Sequence, residues 1–297
     1  MIGETVIDIL VPFYGSESYL RTVITSVLHQ SSPDWRLIII NDCYPGGDPR
    51  SWIEDLNDER IHYSCNTKTL GVNGNFRKAL SMVSSDYFVM MGGDDVMLPD
   101  YILTMQRIIR TGILPEVVQP KVQIINSKGD TCLPLPDRVK RAISPVGRRP
   151  MVLEGETLAA SLLKGDWAYF PSLLWETQVV RKYGFREGYA TALDLLLLLD
   201  IAASGGGMLI IDDVLFQYRR HRESASEVAA LDGERLQEEC GIMREQARRF
   251  GALGWRRAER AARLHLIPRL NALVQTGSLI LHGKFLQARN SFRFVLR

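Results

Sequence analysis

Along the first hundred residues, short unbroken apolar runs alternate with segments in which apolar residues return every three or four positions. The run "VIDILVPF" reads as a buried strand, and Tyr19, Leu20, Val23, Ile24, Val27 and Leu28 then recur at helical spacing. "RLIIIND" predicts a second strand, and "RSWIEDLN" a short helix after the turn "CYPGGDP". "RIHYSC", "NGNFRKALSMV" and "DYFVMM" continue as strand, helix and strand. Strands this continuously apolar are buried on both faces, so the alternation predicts a mostly parallel sheet flanked by helices, an α/β fold. Ligands of such sheets bind beyond the carboxyl ends of the strands. Here those ends carry "PFYGSE", then Asn41 and Asp42, then Asn66, then Gly92, Gly93, Asp94 and Asp95, whose meeting place is one cleft.

The pattern loosens between about residues 113 and 152, where Pro, Gly and basic residues predict an irregular stretch, with "RVKR" and "GRRP" as solvated loops. "GETLAASLLKGDW" restores a helix, "YFPSLLW" reads as strand or loop, and "ALDLLLLLDIAASGGG" is a helix stopped by glycines. "MLIIDDVLFQYRRH" is a closing strand with a polar continuation, and beyond Arg222 the chain reads as helical. The expected organisation is an α/β domain over 1–222 and a helical C-terminal extension over 223–297.

Composition adds boundaries rather than a function. With 46% hydrophobic and 24% charged residues the 297-residue chain is globular in type, and a net charge of +2 gives no basis for a nucleic-acid binder. Cys43, Cys65, Cys132 and Cys240 show no paired spacing, which fits neither a disulfide framework nor a zinc site and suits a reducing, cytoplasmic setting. The N-terminus lacks the flank of a secretory signal, and the apolar stretch at 192–203 is about a dozen residues, short of the ~20 that span a bilayer.

Four positions invite chemistry, each with a plain alternative. Asp94 and Asp95 can end a strand as a turn before Pro99; as adjacent carboxylates they can instead hold Mg2+ or Mn2+ against a diphosphate. Asp42 can close an Asx turn or accept a hydrogen bond from a nucleobase. Asp194, between Leu193 and a run of five leucines, is either an ordinary helix-start carboxylate or a general base. In "QYRRH" the arginines and His221 form either a solvated basic turn or a phosphate and metal contact. "LGVNGN" is neither a dinucleotide fingerprint nor a P-loop, and GxSxG, HExxH and CxxC are absent from the sequence.

In order, "DILVPFYGSESYLRTVITSVLHQSSPDWRLIIINDCYPGGD", "NTKTLGVNGNFRKAL", "VMMGGDDVMLPDY", "LDLLLLLDIAASGG" and "QYRRH" resemble the family 2 inverting glycosyltransferases of the GT-A (Rossmann-like) fold, across about residues 6–222. The resemblance implies a nucleoside-diphosphate sugar donor, a hydroxyl acceptor and a divalent metal, Mn2+ or Mg2+. It implies a nucleotide-sugar pocket made of Pro12, Phe13, Tyr14, Glu17, Asp42, Asn73, Arg77, Gly93, Asp94 and Asp95, with Asp94 and His221 on the metal. Asp194 matches the family's base, although Leu193 stands where relatives carry Glu, and Gly92 stands where they carry the first acid of Asp-x-Asp-Asp. Trp167 and Tyr169, in "GDWAYFPSLLW", are placed on the acceptor side, where they can stack on a sugar or belong to the core.

Two other functions share part of this pattern. A sugar nucleotidyltransferase lacks support because its Gly-rich loop with a basic residue is missing near the N-terminus. A nucleotide-sugar-binding protein that has lost catalysis is consistent with Gly92 and Leu193. The Arg-rich helices "REQARRFGALGWRRAERAARLHLIPRL" and the final "KFLQARNSFRFVLR" are expected to pack on the catalytic domain or on a second subunit, as in a homo-oligomer. The alternative is that they rest peripherally on an anionic membrane at its inner face.

Overall fold

A computed structural model describes residues 5–112, 114–145, 147, 150–189, 192–221, 233–264, 269 and 276. In chain order it contains β1 (Ile7–Phe13), α1 (Glu17–Leu28), β2 (Trp35–Asn41), α2 (Arg50–Glu54), β3 (Ile61–Cys65), α3 (Gly71–Ser81), β4 (Tyr87–Met90), β5 (Val96–Met97) and α4 (Tyr101–Arg110). These are followed by β6 (Val117–Ile125), α5 (Leu135–Ile143), β7 (Met151–Glu154), α6 (Gly155–Lys164), β8 (Leu174–Glu176), α7 (Thr177–Tyr183), α8 (Leu193–Ala203) and β9 (Gly207–Arg219). Beyond them lie α9 (Gly233–Ala252) and α10 (Arg256–Leu264).

The strands form one sheet in the order β3-β2-β1-β4-β8-β6-β9-β5, with β7 also paired to β9. Alternate residues of one strand point to opposite faces, and both faces are buried here. Ile7, Ile9, Val11 and Phe13 of β1 meet Leu20, Val23, Ile24, Ile102 and Met105 from α1 and α4, while Leu10 joins Ile38, Ile40, Ala79, Leu162 and Leu197 on the side of α3, α6 and α8. Helix α8 is buried around most of its circumference, which explains its uninterrupted leucines.

The expected parallel arrangement holds across β3-β2-β1-β4. The other half is mixed: β8 is antiparallel to β4 and to β6, β6 is parallel to β9, and β5 and β7 are antiparallel to β9. The stretch expected to be irregular holds the nine-residue β6, helix α5 and the start of β7. Pro120 obscures β6 in the sequence, and it lies where the pairing with β9 shifts register, the position a residue without an N–H can occupy. "RVKR" is part of α5 rather than a loop, because Asp137 on the same helix is fully buried and anchors it.

In the C-terminal segment, Phe250, Ala258 and Ala262 join the same core cluster as α6 and α8, and Phe250 stacks on Trp255 at 5.4 Å. Arg256, Arg257, Arg260 and Arg263 of α10 face solvent. The expectations for 222–232 and for "KFLQARNSFRFVLR" lie outside the described residues. Among the described residues no helix is long and apolar enough to cross a membrane.

One buried charge secures the edge opposite the strand ends. Asp8 has no solvent exposure; it takes two hydrogen bonds from Arg36 at 2.9 and 2.7 Å and the amides of Ser84 and Ser85 at 2.7 and 3.2 Å. Removing one partner of such a pair leaves the others desolvated and unmatched. Asp8→Ala is therefore expected to lower unfolding free energy by roughly 3 kcal/mol, read by urea denaturation.

Candidate active site

The parallel strands deliver their last residues to one edge. Asp42 follows β2, is 3% exposed, and donates its amide to Phe13 O at 2.9 Å, so β1 and β2 end together. Its carboxylate accepts from Asn66 Nδ2 at 2.7 Å and from the Leu70 and Gly71 amides at 2.8 and 2.9 Å. A carboxylate offers about four acceptor positions, so about one remains for a ligand. Asn66 also donates to Asn75 and accepts from Lys78 Nζ at 2.5 Å, which fixes the rotamer that Asp42 needs. Cys43, at φ 59°, turns the chain so that Tyr44 packs edge-on against Phe13 and Tyr14, 6.0 and 5.2 Å between ring centres. The Tyr14 ring remains 57% exposed beside that mouth.

The acidic turn after β4 is built around close packing. A side chain on Gly93 would place Cβ 3.2 Å from Phe13 Cδ2, and one on Gly92 would come within 2.5 Å of Asp95 Oδ2 and 2.9 Å of Asp94 Oδ1. The two carboxylates occupy the space that an acid at 92 would need. Asp95 is buried, with Oδ1 accepting the Arg219 amide at 2.9 Å and Oδ2 without a hydrogen-bond partner among the described residues. Burial first, and the neighbouring Asp94 charge second, push its carboxyl well above the usual range. Asp94 Oδ2 lies 2.7 Å from His221 Nε2, and the His221 ring is 5.0 Å from the Tyr19 ring.

Neither arginine of "QYRRH" is available for a phosphate. Arg219 is 5% exposed and spends its guanidinium on Asp94 O at 2.6 Å and Asn126 O at 3.0 Å. Arg220 makes two 3.1 Å bonds to buried Asp137, which also accepts the Tyr169 hydroxyl at 3.0 Å.

Asp94 and His221 supply a carboxylate and an imidazole at one point, with the orphaned Asp95 Oδ2 alongside. Among the described residues no group of three or more His, Cys, Asp or Glu side chains surrounds a metal-sized position. Two donors still fit Mn2+ or Mg2+, which complete their shells with water and substrate phosphate oxygens.

The Asp194 charge and Lys140 of α5 both act on Asp166, and α5 in turn bonds Arg220 through Asp137, so the first turn of α8 lies toward the edge where β9 ends at Arg219. Ala192 caps α8 in the left-handed conformation, φ 52° and ψ 28°, and Asp194 follows in that first turn. Asp194 is half-buried and has no hydrogen bond or ion pair among the described residues. Its electrostatic neighbour is Asp166, which no sequence motif marks. Asp166 Oδ1 is sealed from water without a partner among the described residues, and burial pushes the carboxyl up to about 7, with Lys140 opposing and the Asp194 charge adding to the shift. Lys140 donates to Ala168 O at 2.8 Å and sits over the Tyr169 ring, which brings α5 against this corner.

Other expected site residues stand apart. Trp167 is 1% exposed with its indole N–H on Ser161, so it belongs to the core and presents no face to a sugar. Glu17 is paired with Arg21 on the surface of α1. Asn73 and Arg77 face the 186–189 loop: Asn73 Nδ2 donates to the carbonyls of Arg186 and Tyr189, and Arg77 pairs with Glu187.

Residues 8–135, which run from β1 into α5 and include the strand ends and the acidic turn, match the model of glycosyl transferase family 2. This region resembles a family 2 glycosyltransferase domain. Relatives of that domain include the putative teichuronic acid biosynthesis glycosyltransferase TuaG of Bacillus subtilis, 32% identical over 94 residues, 31% of this chain and 37% of that protein. The putative colanic acid biosynthesis glycosyl transferase WcaA of Escherichia coli is 27% identical over 101 residues, 34% of this chain and 36% of that protein. The chain thus spans little more than a third of the length of these relatives. The crystal structure of S. aureus TarS 1-349 in complex with UDP-GlcNAc superposes with a TM-score of 0.61 at 15% identity, covering 98% of this chain and 90% of that one. That likeness shows the fold of the chain, GT-A.

The raised carboxyl of Asp166 has a measurable consequence. A carboxyl whose folded pKa is raised contributes stability that is full below its unfolded value near 3.8 and is lost as pH rises through about 7. Asp166→Asn is expected to be more stable than wild type at pH 8 by roughly 2–4 kcal/mol, the gap closing toward pH 4, in denaturant melts across that range.

Proposed function

We propose that the protein is an inverting, metal-assisted glycosyltransferase that moves a sugar from a nucleoside diphosphate to an acceptor hydroxyl. The observation that carries this reading is the Asp194 carboxylate in the first turn of α8, without a hydrogen bond or ion pair among the described residues, toward the strand edge where Asp94 meets His221. Asp42, with about one acceptor position left, suits an N–H of the base, and the exposed Tyr14 ring suits the flat face of the nucleotide. Gly93 lets the donor approach the backbone beside Phe13. A divalent ion held by Asp94 and His221 would neutralise charge on the departing diphosphate.

Asp194 takes the proton of the acceptor hydroxyl as its oxygen bonds to the anomeric carbon and the bond from that carbon to the diphosphate breaks. Attack opposite the leaving group inverts the configuration. A carboxylate with no hydrogen bond among the described residues suits this step, since none of those bonds must be broken before it accepts the proton. Tyr169 lines the corner beside Asp166 and is our candidate for contact with the acceptor. UDP-sugars are the first donors to test because the TarS structure was solved with UDP-GlcNAc, and glycan acceptors the first acceptors because TuaG is described as a teichuronic acid glycosyltransferase. For an acceptor on an anionic lipid surface, the four solvent-facing arginines of α10 offer a complementary charge.

With a panel of nucleotide sugars and Mn2+, wild type is expected to release nucleoside diphosphate, and Asp194→Asn to lose roughly 10²–10⁴-fold in turnover while binding the donor unchanged. Chelation is expected to stop release, and activity that survives Asp194→Asn would remove the base assignment. Anionic liposomes at low salt are expected to retain wild type and to release a variant with Arg256, Arg257, Arg260 and Arg263 changed to Gln; equal retention of both would remove the membrane contact.

A further inference from the structure

Residues 184–189, which follow α7 on the way to the base-bearing α8, are held from two sides. On one side stands α3. Its Asn73 side-chain amide donates to two carbonyls, Arg186 O at 2.8 Å and Tyr189 O at 3.0 Å, and Arg77, one turn further along the same helix face, pairs with Glu187. Gly188, at φ 81°, adopts the left-handed turn that lets residues 186 and 189 aim at a single donor, and Gly184, at φ 65°, bends the entry to the loop. On the other side stands α9. Arg186 bonds both oxygens of buried Asp200 at 2.7 and 3.1 Å and Glu245 at 2.9 Å, Arg249 bonds Asp200 at 2.5 Å, and the Tyr189 hydroxyl bonds Glu245 at 2.8 Å. Asp200 lies on α8 itself, six residues beyond Asp194.

The same α3 is tied to the nucleotide end of the cleft. The amides of Leu70 and Gly71, at its start, both bond the Asp42 carboxylate, and Asn75 and Lys78, on another face of the helix from Asn73 and Arg77, hold Asn66 against Asp42. Helix α3 is therefore a rigid strut of 11 residues whose first turn touches the carboxylate that reads the donor and whose second face carries the loop that leads into the base. A hydrogen bond from the donor to the remaining acceptor position of Asp42 bears on the same carboxylate that the Leu70 and Gly71 amides hold, so donor engagement acts on the strut, and the strut acts on residues 186–189.

We propose that Asn73 is a positioning residue: it links donor engagement at Asp42 to the placement of Asp194 by fixing the 186–189 loop, against the counter-clamp of Arg186, Tyr189 and Glu245. This assigns Asn73 to the acceptor half of the reaction rather than to nucleotide contact. It rests on the reading of Asp194 as the base. A misplacement of about 1 Å in a catalytic group can cost on the order of 100-fold in rate, so a remote amide can matter to turnover without touching the substrate.

Asn73→Asp keeps the size of the side chain and removes the two donors; Tyr189→Phe weakens the opposite clamp with little change in packing. Each is compared with wild type by calorimetric titration with UDP, GDP and ADP, by turnover of the donor that wild type hydrolyses, and by hydrogen exchange of peptides covering 184–194. Asn73→Asp is expected to keep nucleotide affinity within about threefold, to lose roughly 10–100-fold in kcat, and to speed exchange of the loop; Tyr189→Phe is expected to move kcat and exchange in the same directions by a smaller factor. In wild type, the bound nucleotide is expected to slow exchange of 184–194, and in Asn73→Asp it is expected to have no such effect. The proposal is overturned if Asn73→Asp weakens nucleotide binding tenfold or more with loop exchange unchanged, which would make Asn73 a ligand. It is also overturned if the loop loosens while kcat stays at the wild-type value. Failure of the base assignment shows separately, as turnover retained by Asp194→Asn.

Discussion

The site depends on Arg219 reaching across from the last strand to the acidic turn. Its amide caps Asp95 Oδ1, its Nε holds Asp94 O, and its guanidinium lies over Tyr19 from α1. Three elements distant in sequence are thereby pinned together, and His221, two residues on, arrives against Asp94 as a consequence. Sealing Asp95 from water has a cost, seen in its raised carboxyl, and what is gained is a fixed backbone from which Asp94 points outward. The absence of a side chain at 92 belongs to the same arrangement, since the two carboxylates already fill that space.

Around this anchor the Asp42 end and the Asp194 end of the cleft are connected by helices rather than by loops alone. Asp42 is preorganised by α3, and α3 in turn holds the chain that leads into Asp194. On the far side, Asp166, Lys140 and Tyr169 join α5 to the same corner, and Asp137 joins α5 to Arg220 beside Arg219. Preorganisation of this kind limits the reorganisation needed when charge moves in the reaction.

The parallel half of the sheet was readable because it obeys a local rule: apolar runs ending in polar residues, separated by helical periodicity. Asp42, Asp94 and Asp194 were visible for the same reason, each standing at the end or start of such a run. What local pattern could not show were positions set by pairing between distant segments. Strand β6 is broken in appearance by Pro120, tolerated where its register with β9 shifts. Helix α5 looks like a basic loop until Asp137 is seen buried against Arg220. Trp167 sits in a segment that also carries Tyr169, and composition cannot tell the buried ring from the half-buried one. Asp166 and the loop-facing role of Asn73 are set by interactions 26 and more than 110 residues away in sequence, with Lys140 on α5 and with the Arg186 and Tyr189 carbonyls.

The most direct test of the site as a whole is anomalous diffraction from crystals grown with Mn2+ and a nucleoside diphosphate. The expected result is a single Mn2+ peak within coordination distance of Asp94 and His221, with the diphosphate completing its shell and the base of the nucleotide on Asp42. A nucleotide bound elsewhere, or a nucleotide in this cleft with the Asp94–His221 contact intact and no metal beside it, would contradict the assignment.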